Sequence, residues 1–185
     1  IWIVLVFFRG QFWRADQCLA SVSTPPTDPP SVVAIIPARN EEMTIGRTIT
    51  SLLAQDYDGE FAIIVVDDNS DDDTANAAKV AAQGTDRVTI VEGSVLPEGW
   101  TGKMWAVSQS IAIANDQFPN ATYYLLTDAD ILHHPGNLTE LTAKALAEKL
   151  VLVSLMVRLR CENWWEHLLM PAFVFFFQKL YPFPW

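Results

Sequence analysis

Two hydrophobic periods take turns along most of the chain. Val32-Val33-Ala34-Ile35-Ile36 is a short β-branched run, whereas Glu41 to Gln55 places Ile45, Ile49, Leu52 and Leu53 at helical spacing. The pair predicts a strand followed by a helix, and the unit then repeats. Phe61 to Val66 reads as a second strand and Asp73 to Gln83 as an Ala-rich helix, closed by Gly84 in the C-terminal capping position. Arg87 to Val91 is a third strand, and Lys103 to Asn115, with Met104, Val107 and Ile111 in register, a third helix. Thr122 to Thr127, then Gly136 to Lys149 with Leu138, Leu141 and Ala145 in register, give the fourth pair, and Leu150 to Val157 a fifth strand. Nearly continuous apolar strands alternating with helices predict an α/β fold: a Rossmann-like, mostly parallel sheet with helices on both faces.

The ends of the chain break this rhythm. Ile1 to Phe8 is apolar but shorter than the ~20 residues a bilayer span needs. Arg9, Phe12, Trp13 and Arg14 follow it, the aromatic and basic flank expected at a cytoplasmic membrane face, so this end is expected to be a truncated membrane anchor. Ser21 to Pro30, with two Pro-Pro pairs, holds neither a helix nor a central strand and reads as a linker. Cys161 to Trp185 is dominated by Trp, Leu and Phe. It is expected to be broken by Pro171, and either lies in the membrane interface or is a core helix covered by further chain.

A parallel sheet dictates where chemistry goes. Right-handed crossovers bring every strand-to-helix loop to the carboxyl edge, where ligands bind near the switch in strand order. The unusual residues fall in just those loops: Pro37-Ala38-Arg39-Asn40-Glu41-Glu42, then Asp67-Asp68-Asn69-Ser70-Asp71-Asp72-Asp73, then Asp128-Ala129-Asp130. In an extended chain Asp128 and Asp130 point the same way, so both can face one hard divalent cation, Mn²⁺ or Mg²⁺; read alone, the pair is equally an ordinary turn. Arg39 and Lys103 can add positive charge to the same diphosphate oxygens, which is leaving-group catalysis. Asp68, at a strand end, is placed to accept from a base N–H or a sugar hydroxyl. Asp71, Asp72 and Asp73 precede Thr74 at a helix start and read as capping and dipole partners. His133 and His134, beside Pro135, read as a turn, since hard cations prefer oxygen.

Charge and composition narrow the partners. The 185 residues are half hydrophobic and carry a formal net charge of -10, which argues against electrostatic attraction to nucleic acid or to an anionic lipid surface as the main binding force. Two cysteines far apart suggest neither a disulfide framework nor a zinc site. The first loop has no glycine, which excludes a dinucleotide fingerprint, and Gly102-Lys103-Met104 lacks the hydroxyl of a phosphate loop.

The ordered set Pro37-Ala38-Arg39-Asn40-Glu41, Val66-Asp67-Asp68-Asn69-Ser70 and Thr127-Asp128-Ala129-Asp130 resembles the family 2 glycosyltransferases of the GT-A fold, from about Val32 to Val157. Gly99 to Ala106, Met156 to Arg160 and the Phe-rich end are similar to the hopene-associated glycosyltransferases of bacterial hopanoid gene clusters. This resemblance implies an inverting transfer of a sugar from a nucleotide-diphosphate donor, usually a UDP-sugar, to a lipid acceptor at the bacterial inner membrane, with the catalytic domain facing the cytoplasm. Carried over, Pro37, Ala38, Arg39, Asn40, Glu41 and Asp68 would hold the nucleoside, Lys103 would sit near the phosphates, and Asp128 and Asp130 would bind the metal. The implied organisation is an anchor over 1–20, a linker over 21–31, a nucleotide-sugar-binding domain over 32–160 and an aromatic-rich, membrane-proximal segment over 161–185. The family also requires a carboxylate base well after the metal pair. Glu162 and Glu166 read as surface acids, so the base is expected beyond Trp185. Two other classes stay open: a nucleotidyltransferase, whose first loop would be glycine-rich, and a non-catalytic nucleotide-binding module.

Overall fold

A computed structural model describes residues 2–14, 18–19 and 25–182. These fall into two compact units, one drawn from residues 21–153 and the other from residues 1–20 with 154–185.

The larger unit is the α/β body. Its strands are β1 (Val32–Ala38), β2 (Phe61–Asp67), β3 (Val88–Glu92) and β4 (Tyr123–Leu126), all parallel, in the order β3-β2-β1-β4. β1 and β2 are central and buried along nearly their whole length, which is why both read as unbroken apolar runs. Each runs one or two residues past its apolar core because the ladder continues through Pro37 opposite Val66 and Ala38 opposite Asp67. The chain moves outward from β1 to β3 and then returns to β1's other side with β4. The order therefore switches between β1 and β4, where such a sheet opens a crevice.

Side-chain alternation along the strands divides the core in two. Ile36, Ile63 and Val65 pack with Ile45, Ile49 and Leu52 of the helix Ile45–Leu53, Ala78 of the helix Thr74–Ala81 and Leu138 of the helix Asn137–Glu148. Val33, Ile64 and Val66 face Ala106 and Ala114 of the helix Gly102–Gln117. The expected register of that last helix is corrected. It buries Ala106, Ser110 and Ala114, whereas Met104 is 57% exposed. Small residues four apart let a helix backbone approach the sheet, so the packed face is the least hydrophobic one to read.

A second correction concerns Leu150 to Val157, where the described residues form no strand. Lys149, in the left-handed region at φ 53, ends the preceding helix, and Val151 and Leu152 are 96% and 81% exposed. The β-branched run has strand propensity, but propensity without a cross-strand partner does not make a strand.

In this fold order we number the helices α1 (Trp2–Phe8), α2 (Ile45–Leu53), α3 (Thr74–Ala81), α4 (Gly102–Gln117), α5 (Asn137–Glu148) and α6 (Trp164–Leu180). The smaller unit contains α1 and α6. Asn163 caps α6 reciprocally with Glu166: each side chain accepts the other's backbone N–H, at 2.9 and 3.2 Å. The helix runs through Pro171 instead of breaking there, giving up one backbone donor inside an otherwise continuous helix. Phe12, 2% exposed, meets the Phe175 ring edge-on at 5.2 Å, and the Arg9 guanidinium donates to the carbonyls of Lys179 and Leu180 at 3.2 and 3.1 Å. Among the described residues no helix is long and apolar enough to cross a membrane. Of the linker expected over 21–31, residues 21–24 lie outside the described residues, as do 1, 15–17 and 20 of the N-terminal segment and 183–185 of the C-terminal one. Residues 25–31 carry no regular structure.

Candidate active site at the strand-order switch

The carboxyl edge of the sheet holds a cavity of about 270 Å³ lined by Pro37, Ala38, Arg39, Glu41, Asp68, Lys103, Asp128, Ala129 and Asp130. Eight of these are residues singled out from the loops or from α4; only Ala129 is added, as the residue between the two aspartates. The parallel topology brings four separated stretches to one place.

Asp68 is the deepest charge. It is 5% exposed, its N–H donates to Ala38 O at 2.8 Å, and its Oδ2 lies 3.7 Å from the Arg39 guanidinium. The connection from β3 to α4 closes over it. A Cβ on Gly93 would come within 2.9 Å of Asp67 O and 3.4 Å of Asp68 Cα, while a Cβ on Gly102 would run into Asp68 Oδ2. Neither glycine was legible as a site residue, because what each must avoid is a carboxylate or backbone group distant in sequence.

The first two loops lock together through side chains bonded to each other's backbone. Asn40, at φ 55, donates its N–H to Ser70 Oγ at 2.9 Å and accepts the Asp71 N–H on Oδ1 at 2.8 Å. Glu41 N–H donates to Thr74 Oγ1 at 2.8 Å, and Asp73 N–H to Glu42 Oε2 at 3.0 Å. Asn40 is thus placed outside the cavity wall, where its short amide tolerates a left-handed backbone and ties the loops. Asp72 accepts the hydroxyl and N–H of Thr74 and the N–H of Glu42. The Thr74 hydroxyl, above all, holds the Asp72 carboxyl below its usual range. Capping was the expected role for this acidic run; the N-cap residue Asp73 makes no side-chain cap bond, and Asp72 instead bonds to the helix start and across to the first loop.

The Asp128-Ala129-Asp130 turn shows the alternation its spacing predicts: both aspartates are exposed and Ala129 is buried between them. Ala129 O accepts the hydroxyl of Thr48, a fully buried residue of α2, at 2.7 Å. His133 also holds the turn, with its backbone N–H donating to Ser51 Oγ of α2 at 3.1 Å. Its Nε2 lies 3.0 Å from Thr127 Oγ1, its Nδ1 lies 3.3 Å from Asn137 Nδ2, and burial pushes its pKa down toward the neutral ring. Replacing Thr48 by valine keeps the shape but leaves a buried carbonyl without its donor, so stability should fall by about 1–3 kcal/mol. Urea unfolding of T48V checks this, and an unchanged midpoint would contradict the role.

Lys103 Nζ sits 2.5 Å from Asp128 Oδ1, with the two side chains 63% and 55% exposed. Hard-oxygen donors on one side of a turn, opening on a cavity, suit a divalent cation of the Mg²⁺ or Mn²⁺ type, which is commonly held by one or two carboxylates plus substrate phosphates. Among the described residues no group of three or more His, Cys, Asp or Glu could hold a metal. Glu162 and Glu166 are engaged elsewhere. Glu162 pairs with Arg160, and Glu166 accepts the N–H groups of Glu162 and Asn163, which hold its carboxyl below the usual range.

The chain is 34% identical over 116 residues to the succinoglycan biosynthesis protein ExoU of Rhizobium meliloti (strain 1021), a match covering 63% of this chain and 31% of that protein. Two crystal structures of S. aureus TarS, one with UDP and one with UDP-GlcNAc, superimpose with TM-scores of 0.53 and 0.50, each at 21% identity. They cover 64% of this chain and 33% and 32% of the TarS chains, and show a shared GT-A-like α/β fold. The chain spans about a third of the length of these relatives. The glycosyl transferase family 2 profile matches residues 33–184, most of the chain, and the protein belongs to that family.

Proposed function

We propose that the cavity binds the nucleoside diphosphate of a sugar donor, a UDP-sugar, and that the protein transfers the sugar with inversion to a lipid acceptor such as a hopanoid. The observation that carries this reading is the convergence of Asp68, Arg39, Lys103, Asp128 and Asp130 on one cavity at the strand-order switch. Asp68, nearly buried at the cavity wall, suits a base N–H or sugar hydroxyl. Arg39 and Lys103 supply charge for phosphate oxygens, and Asp128 and Asp130 would hold Mn²⁺ or Mg²⁺. A bound divalent cation would neutralise charge developing on the departing diphosphate. The UDP and UDP-GlcNAc held by TarS belong to the donor class proposed here.

Inversion needs a base for the acceptor hydroxyl. With Glu162 and Glu166 occupied as described, we place that base outside the described residues. A nucleotidyltransferase or a non-catalytic module fits less well, since the first loop lacks glycine and the family is one of glycosyl transferases.

For the acceptor, the smaller unit supports a lipid at the cytoplasmic face of a bacterial inner membrane: Phe7, Phe8, Trp164, Trp165 and Phe176 are all more than half exposed. A saccharide acceptor is the second reading, favoured by the relative's role in succinoglycan biosynthesis. Incubating the full-length enzyme with radiolabelled UDP-sugars, a hopanoid and an oligosaccharide separates the two. Label is expected in the organic phase. Label only on the oligosaccharide would replace the lipid reading, and no transfer from any UDP-sugar would overturn the donor assignment.

A further inference from the structure

The site carries its own cation. Lys103, in the first turn of α4, places its ammonium on Asp128 Oδ1, one of the two carboxylates proposed for the metal. Arg39 holds the nearby Asp68 in the same way at 3.7 Å. Two of the cavity's carboxylates are thereby paired, while Asp130, the other member of the proposed metal pair, has no ion pair among the described residues.

We infer that Lys103 is a positioning residue that makes metal binding depend on the nucleotide: it holds Asp128 while the cavity is empty and moves to the diphosphate when the donor enters, freeing Asp128 for the metal. This rests on the donor and metal roles proposed above. Both Lys103 and Asp128 are more than half exposed, and such pairs contribute little to stability, so the exchange has a low cost. The lysine stem has enough rotatable bonds to carry the charge from one oxygen to another without moving the helix. A divalent cation arriving alone meets a positive charge beside its ligand. A cation arriving with a diphosphate meets two or three further negative charges, and these draw Lys103 away. The binding order follows from charge bookkeeping at the site: free metal binds weakly, and nucleotide and metal bind cooperatively.

The test is a titration of Mn²⁺ by its free-ion electron paramagnetic resonance signal, with and without saturating UDP, on the wild-type chain, Lys103→Met and Lys103→Arg. Wild type should bind Mn²⁺ at least tenfold more tightly with UDP than without. K103M should bind Mn²⁺ alone about three- to tenfold more tightly than wild type, because a like charge a few ångströms from the ion is gone. It should bind UDP in EDTA by a similar factor more weakly, and because its Mn²⁺ affinity with UDP stays near the wild-type value, the cooperativity shrinks by the factor by which Mn²⁺ alone binds more tightly. K103R, which keeps the charge, should stay near wild type. If K103M leaves Mn²⁺ affinity without UDP unchanged or weaker, the handover is wrong while the donor site stands. If wild type takes up no Mn²⁺ even with UDP, the metal reading fails and the handover with it.

Discussion

Replacing Gly102 by alanine should abolish most nucleotide affinity while leaving the fold intact. Gly102 is the first residue of α4, and its added Cβ would collide with Asp68 Oδ2 and lie 3.8 Å from the Arg39 guanidinium. The colliding atom is a side-chain tip, so relief comes from turning the Asp68 carboxylate and not from shifting backbone. At a helix start, alanine itself is no worse than glycine for the helix. The cost therefore falls on what Asp68 does. A charged hydrogen bond to a nucleoside contributes about 1.5–3 kcal/mol, which corresponds to roughly a 10- to 150-fold loss of UDP affinity. A double-mutant cycle separates this from a general disturbance. Asp68→Ala should lose about as much UDP affinity as G102A, and the double variant should lose no more than either. If the losses add, Gly102 acts on something other than Asp68.

Asp130→Ala should remove the metal-dependent part of nucleotide binding and leave the remainder. Asp130 is exposed, lines the cavity, and has no ion-pair partner among the described residues, so its loss strips a proposed metal ligand without uncovering a buried charge. Loss of one of two carboxylates to a weakly held cation should cost an order of magnitude or more in Mn²⁺ affinity. Calorimetric titrations of UDP into D130A with Mn²⁺ and with EDTA should superimpose, and urea unfolding should match wild type. A D130A variant whose UDP binding still responds to Mn²⁺ would assign the metal to other ligands.

Much of this site was legible in the sequence because parallel topology is restrictive. Once the alternation of strands and helices is recognised, the loops carrying Arg39, Asp68 and Asp128 have only one edge to occupy. β1 and β2 were readable almost to the residue because both are buried on two faces and leave no polar interruption. What escaped depends on contacts between distant residues. Thr48 looks like an ordinary helical threonine until Ala129 O is placed above it, 81 residues away in sequence. Gly93 and Gly102 look like loop glycines until Asp67 and Asp68 are beneath them. Asn40 is expected to contact the nucleoside, and what the sequence did not show is that its left-handed turn also lets its amide oxygen accept the Asp71 N–H. The packed face of α4 escaped because alanine and serine carry little hydropathy, and the expected fifth strand failed because a β-branched run says nothing about whether a partner is available.

If the cavity between β1 and β4 holds a nucleoside diphosphate through a shared divalent cation, isothermal titration of UDP into the wild-type chain should show binding both in Mn²⁺ and in EDTA, distinctly tighter with Mn²⁺. Identical isotherms, or no binding in either, would rule that site out.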